Sequence, residues 1–332
     1  MDYNFRSYYL KELFMTKIHN VVADNYYRTF SKDYPVLQRV NPGDSVSTKT
    51  VCSGGQDLNG KHVHEPGNPL TGPFFVEEAE PGDTLKVHFS KIRMNRTWGY
   101  TSYRLGLYAL TPESIENTYS KNYKKDLIRK DRSDLISWDL DLETNMVRLD
   151  HENAGNHPME FPANPMLGCV GVAPEGDFRP TSGPSGQWGG NIDYNAIVEE
   201  STVYLPVFQP GAFLYVGDGH ALQGDGEPLG TGIETSMDVE FSVDIIKNKK
   251  IAMPRLETPQ FISSIGSQPE FASSLNRGLQ IATTEMIGWL TDDYKMEPYS
   301  AHLLIGMVGQ YKVVTVAGSM ALQIEKKHLP QI

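Results

Sequence analysis

The chain has 332 residues, 39% of them hydrophobic and 21% charged, and a net charge of -11. It is long enough to bury a substantial core and has the composition of a globular chain, which excludes wholesale disorder. Its acid excess argues against a nucleic-acid partner, and the lack of an apolar run of about 18 residues excludes a helical membrane span.

From residue 18 to about 100 the pattern is of short strands separated by turns. Residues 36–40 alternate, Asn41-Pro-Gly-Asp44 turns the chain, and 45–51 alternate again. After a polar loop come an apolar stretch at 73–76, the turn Glu80-Pro-Gly-Asp83 and an alternating run at 84–89. The two Pro-Gly-Asp turns, each leading into a strand, predict two hairpin entries of the same kind. Residues 101–160 are polar and tyrosine-rich with a basic cluster from Lys121 to Arg132, and read as a variable surface insertion holding a strand near 137–142. The run 166–173 is almost continuously apolar, as a fully buried strand would be. The glycine- and proline-rich stretch 176–191 reads as loop, and 201–208 and 237–246 read as strands. The last third changes period: apolar residues at helical spacing predict helices over 273–290 and 296–309, followed by strands at 311–317 and 321–324. The fold class is therefore α+β, rich in β-structure and with helices near the C-terminus. One domain spanning 1–332 is expected, or within it a β-rich part 18–250 and an α/β part 251–332.

Two cysteines, Cys52 and Cys169, are too few for a disulfide framework, and the N-terminus lacks a secretory pattern, so a cytoplasmic protein is expected. The chemistry concentrates in three glycine-rich loops. The segment 204–235 carries Asp218, His220, Gln223, Asp225, Glu227 and Glu234. Residues 54–72 carry Asp57, His62, His64, Glu65 and Asn68, with the two histidines spaced to share one side of an extended strand. The stretch 182–193 offers Trp188, Gly190, Asn191 and Asp193, with Ser185 as a weak nucleophile candidate. No HExxH, GxSxG or CxxC pattern occurs. If the loops converge, their histidines and carboxylates are enough for Zn²⁺, with Ca²⁺ as a candidate second ion.

The segments NPLTGPFFVEEAEPGDTLKVHF (68–89), PMLGCVGVAPEG (165–176) and GGNIDYNAIVEESTVYLPVFQPGAFLYVGDGHALQGDGEPLGTGIET (189–235) resemble the acetamidase/formamidase family. The resemblance implies a β-rich acetamidase/formamidase-like fold, a metal-supported site, a homo-oligomer, and hydrolysis of a short aliphatic amide to carboxylate and ammonia. Amide hydrolysis needs an activated water, a stabilised oxyanion and a proton for the leaving nitrogen. On that basis His64 and His220 are expected as metal ligands with Asp57 and Asp218, and His62 as a ligand or a group bracing one. Asp225 or Glu234 is expected as general acid/base, Asn191 as a catalytic amide, and Gly190, Asp193 and Trp188 as substrate contacts. The competing readings are a non-catalytic metal- or amide-binding protein of the same fold and a hydrolase of a larger or substituted amide.

Overall fold

A computed structural model describes residues 17–102, 109–114, 135–149, 158–270 and 273–331. Among them two large sheets face one another. The first has nine strands and centres on the long strands Thr84–Met94 and Met237–Ile246, which pair antiparallel over most of their length. The second has eleven strands and centres on Leu214–His220. Inward residues of the two sheets share one core: Phe74 and Val216 from one meet Phe89, Val203 and Phe241 from the other. The rings of Phe74 and Phe241 meet edge to face at 5.2 Å, an arrangement worth about 1 kcal/mol beyond the area buried.

The sequence echo of the two Pro-Gly-Asp turns has a structural counterpart. In each, a carboxylate oxygen accepts the amide of the residue three positions back, Asn41 for Asp44 and Glu80 for Asp83. The strands that follow, Ser45–Lys49 and Thr84–Met94, flank Met237–Ile246 on its two edges. Asp44 is buried and also accepts from the Lys17 amide and from His19, 2.9 Å away. Burial alone would raise its pKa, but His19 and these amides outweigh burial and hold it down at about 2. Because the folded pKa lies below the unfolded one, this stabilisation is present above about pH 4 and lost as pH falls through about 2. Asp44→Asn is expected to cost about 2 kcal/mol in urea unfolding at neutral pH, with the gap to the parent chain closing below pH 3.

Several predicted elements extend further than their periodicity suggested. The 84–89 run continues to Met94, and the apolar stretch at 73–76 starts at Leu70. The stretch 176–191 was expected to be loop throughout, yet Gly189–Asn191 forms a short strand against Met166–Gly171, and Ser185–Gly186 pairs in turn with Gly189–Asn191. Most of 101–160, including the basic cluster, lies outside the described residues. The described part adds the strands Leu135–Asp141 and Met146–Leu149 beside Trp98–Ser102.

Both C-terminal helices form. Helix α1, Leu275–Asp292, is capped by Ser274, whose side chain accepts the Arg277 amide, and α2, Pro298–Val308, begins with proline at its first turn. Met286, Trp289 and Leu290 of α1 pack with Ile305 of α2 on Ile262, Leu322 and Ile324 of the nine-stranded sheet. Each such side chain contributes about 1.5–3 kcal/mol by burial. Leu275, at the start of α1, is exposed and lies outside this apolar stripe. The buried face instead includes Gly278 and Ala282, because a side chain at Gly266 on the sheet would meet the Gly278 carbonyl at 1.9 Å. The nine-stranded sheet draws on both sides of residue 250, joining Ser201–Pro206 to Arg255–Glu257 and onward to Ser319–Glu325. No helix among the described residues is long and apolar enough to cross a membrane.

Candidate functional site

The strand Leu214–His220 is buried at every position. One edge pairs with Met166–Gly171. The other is shared, first by Leu70–Val76 and then by Glu234–Thr235. Asp218 falls at the handover between them, where the ladder with Met166–Gly171 also skips from Gly217 to Gly219. Its backbone turns left-handed there, with φ of 56°. Asn68, Asp193 and Glu227, all from loops, share that conformation with φ of 51°, 51° and 47°. Asn and Asp tolerate it better than most residues, but each position costs on the order of 1–3 kcal/mol, so strain collects where these side chains meet.

The three glycine-rich loops converge on this point. Asn68 donates to the Asn191 amide oxygen at 3.2 Å and to Asp218 Oδ2 at 3.0 Å. Asn191 in turn donates to Asp193 Oδ2 at 2.5 Å, and its oxygen lies 2.7 Å from Cys169 Sγ. His220 and Glu234 stand directly opposite one another across the ladder. Ligand-type atoms of Asp218, His220 and Glu234 lie within 4.8 Å of one another, and so do those of Asp193, His220 and Glu227. His220 Nε2 is 3.0 Å from Glu234 Oε1 and 3.5 Å from Asp218 Oδ1, near but not aligned for hydrogen bonding.

Four carboxyl groups around one imidazole hold more negative charge than a buried site can keep. Burial pushes the Asp193 carboxyl well above its usual range, with Glu227 and Asp218 adding to the rise. Burial likewise raises Glu227 to about 8, against the pull of His220. Glu234 is raised by burial too. For His220, burial favours the neutral ring, but Glu234 and Asp218 outweigh it and drive its pKa well up. These groups must hold protons or share a cation.

The donor set fits a cation. Asp193 Oδ1, Asp218 Oδ1, His220 Nε2 and Glu234 Oε2 are all buried without a hydrogen-bond partner. The histidine is also braced for the purpose. Gln223 donates its amide nitrogen to the Asp193 carbonyl at 2.7 Å, which turns its oxygen toward His220 Nδ1, also at 2.7 Å. That oxygen can only accept, so Nδ1 carries the proton and the Nε2 lone pair of the neutral ring faces the carboxylates. One imidazole nitrogen with several carboxylate oxygens suits an ion of borderline hardness such as Zn²⁺ better than Ca²⁺, which takes oxygen alone.

The expected residues divide. Asp218, His220, Glu234, Asn191 and Asp193 meet in this cluster. Asp57, His62 and His64 do not belong to it. The Asp57 carboxylate is used within its own turn, accepting the amides of Asn59 and Lys61. His62 is exposed, and His64 Nδ1 bonds the neighbouring Glu65 carbonyl. Asp225 is also outside: it is exposed and held by Asn195 and Lys312. Glu227, two residues on, is the one delivered inward, by a turn in which its amide bonds the Gly224 carbonyl. Gly190 enters through its backbone, pairing with Val170 and Ser185. Trp188 packs against Phe178 and lines a separate groove of about 850 Å³ that holds none of the cluster.

Sequence reasoning passed over three supports. Gly168 sits beneath the two aspartates, where a Cβ would come within 2.4 Å of Asp193 Oδ1 and 2.8 Å of Asp218 Oδ2. Cys169 stands against the Asn191 amide oxygen, 2.7 Å from its Sγ. Ser53 reaches Glu234 and also bonds the Tyr100 hydroxyl at 2.9 Å.

Residues 179–307 match the model of the acetamidase/formamidase family. The chain is 26% identical to a formamidase of Methylophilus methylotrophus over 65% of its own length, and spans 63% of that protein. Its fold is similar to that of an acetamidase from Yersinia enterocolitica, with a TM-score of 0.76 and 25% identity over 95% of this chain and 93% of the other. A recombinant predicted acetamidase/formamidase from Thermoanaerobacter tengcongensis is similar at a TM-score of 0.73 and 27% identity, over 94% and 96% of the two chains.

Proposed function

We propose, from the match of residues 179–307 to the acetamidase/formamidase family and the likeness of the fold to solved acetamidases, that the chain hydrolyses the C–N bond of a short aliphatic amide to a carboxylate and ammonia. The observation that carries the proposal is the cluster of Asp193, Asp218, His220, Glu227 and Glu234, in which one oxygen each of Asp193, Asp218 and Glu234 and the Nε2 of His220 are buried without hydrogen-bond partners and the histidine is fixed in the ligating tautomer. Asp218, His220 and Glu234, all fully enclosed, are the group that holds a divalent cation, with Zn²⁺ the leading candidate. When bound, such an ion polarises an amide carbonyl and makes water acidic enough to attack near neutral pH.

The chain's own residues supply the rest. Asn68 and Asn191 hold the Asp218 and Asp193 carboxylates by donating to them, which keeps their free oxygens aimed at one point. Glu227, the one member of the cluster that is not fully buried, is placed to take the proton of the attacking water and pass it to the leaving nitrogen. Water adds to the carbonyl carbon, the C–N bond breaks, and the amine leaves as ammonia with that proton. Ser185 is buried in a short strand and has no part in this scheme.

Ammonia release from formamide, acetamide and propionamide by the purified protein, with and without added Zn²⁺, tests the proposal. Turnover of at least one amide that a chelator removes and Zn²⁺ restores is the expected result. A chain inactive on all three with zinc present would overturn the short-amide reading.

A further inference from the structure

Where α1 ends over the nine-stranded sheet there is a cavity of about 140 Å³ that none of the cluster residues lines. Tyr204 and Arg255 stand directly opposite one another in it, on the paired strands Ser201–Pro206 and Arg255–Glu257. Trp289, from the last turn of α1, closes one side. Its ring meets Tyr204 edge to face at 5.9 Å, and its centroid lies 5.0 Å from the Arg255 guanidinium. Ile246, Ile251 and Tyr294 add further apolar wall.

The polar groups of this lining are unequally satisfied. Its acceptors are taken: Glu257 is held by Lys326 and by the Tyr204 hydroxyl, each at 2.6 Å, and Asp293 is held by Lys249. Its strongest donor is only partly used. Arg255 is 4% exposed, and its Nε donates to the buried Glu285 at 2.6 Å, but Nη1 and Nη2 have no hydrogen-bond partner among the described residues. The bond to Glu285 and the face of Trp289 fix the plane of the guanidinium, so the two nitrogens form a rigid pair of donors. An acceptor for them has to come from the cavity.

We propose that this cavity binds a small monocarboxylate, with its two oxygens on Nη1 and Nη2 of Arg255 and its apolar body between Tyr204, Trp289 and Tyr294. A carboxylate matches a planar fork of two N–H donors better than a single-oxygen acceptor does. A cationic ligand would find both carboxylates of the lining already neutralised by lysines, and a dianion would face them at close quarters. Volume sets the size: an apolar cavity of about 150 Å³ takes a benzene ring, so a body of about that size fits here and acetate leaves most of the space unfilled.

Isothermal titration of the purified chain with benzoate tests the proposal. One benzoate per chain is expected, with benzyl alcohol, the same ring without the charge, at least about tenfold weaker. Arg255→Lys keeps a positive charge for Glu285 but loses the fork, and Ile246→Phe fills the cavity while leaving Arg255 in place. Each is expected to weaken benzoate at least about tenfold. His220→Ala should bind benzoate as the parent chain does, because His220 does not line this cavity. No saturable binding at millimolar benzoate overturns the proposal, and so does binding that both cavity variants leave unchanged or that His220→Ala abolishes. Equal affinity for benzyl alcohol would overturn the carboxylate class. None of these readouts uses amide turnover, so failure here is distinct from failure of the proposed activity.

Discussion

His220→Ala is expected to lower amide turnover by about a thousandfold or more and to abolish stoichiometric binding of the proposed cation. His220 is the only nitrogen ligand in the cluster and belongs to both groups of ligand atoms, so its loss opens both at once. On the proposed mechanism several kcal/mol of transition-state charge stabilisation would depend on an ion held there, and each 1.36 kcal/mol is a factor of about ten. The fold should survive, because the strand around His220 is held by ladders on both edges. Gln223→Leu tests the bracing separately: freed from its amide partner, the imidazole can take either tautomer, and cation affinity should fall by about 10–100-fold. Elemental analysis and chelator competition read both variants. A His220→Ala protein that retains full cation content would show that the carboxylates bind it alone, and would remove His220 from the site.

How much of this was legible in the sequence follows from where each residue sits. Strands with clear alternation, such as Met237–Ile246, and helices with a periodic apolar face could be read because one face of each is buried along its length. The segment around Asp218, His220 and Glu234 could be read because so many polar groups among glycines in an otherwise apolar strand have no packing role. The metal expectation at His62 and His64 failed for a different reason. Spacing of two places both rings on one side of a strand only if the chain is extended there, and in this loop the backbone folds back so that the amides of Val63 and His64 both bond the Gly55 carbonyl. Asp225 was expected in the site and Glu227 was given no role, because a left-handed turn decides which carboxylate faces inward and nothing local in the sequence records that turn. Gly190 and Trp188 were expected together, but Gly190 serves through its backbone while the indole packs against Phe178.

Gly168 gives the sharpest test of whether the aspartate pair sets the reacting geometry. It lies inside the buried strand Met166–Gly171, and nothing in the run MLGCVG distinguishes it from a packing glycine. An alanine there would put its methyl 2.4 Å from Asp193 Oδ1, 2.8 Å from Asp218 Oδ2 and 3.2 Å from Asp218 Cγ. Real contacts of that kind are not tolerated, so the carboxylates must move, and Asn191 and Asn68, which hold them, must move too. A displacement of about 1 Å in such a constellation costs roughly a hundredfold in rate. Gly168→Ala is therefore expected to lower kcat by about that factor and to weaken cation binding. The overpacking itself should destabilise the fold by only about 1–3 kcal/mol. Gly288→Ala in α1, where an added methyl meets nothing within 4 Å, is the matched control and should leave activity unchanged while slightly stabilising the helix. Near-normal kcat in Gly168→Ala would mean that Asp193 and Asp218 do not position the reacting atoms, and would move the chemistry toward Glu227 and Glu234.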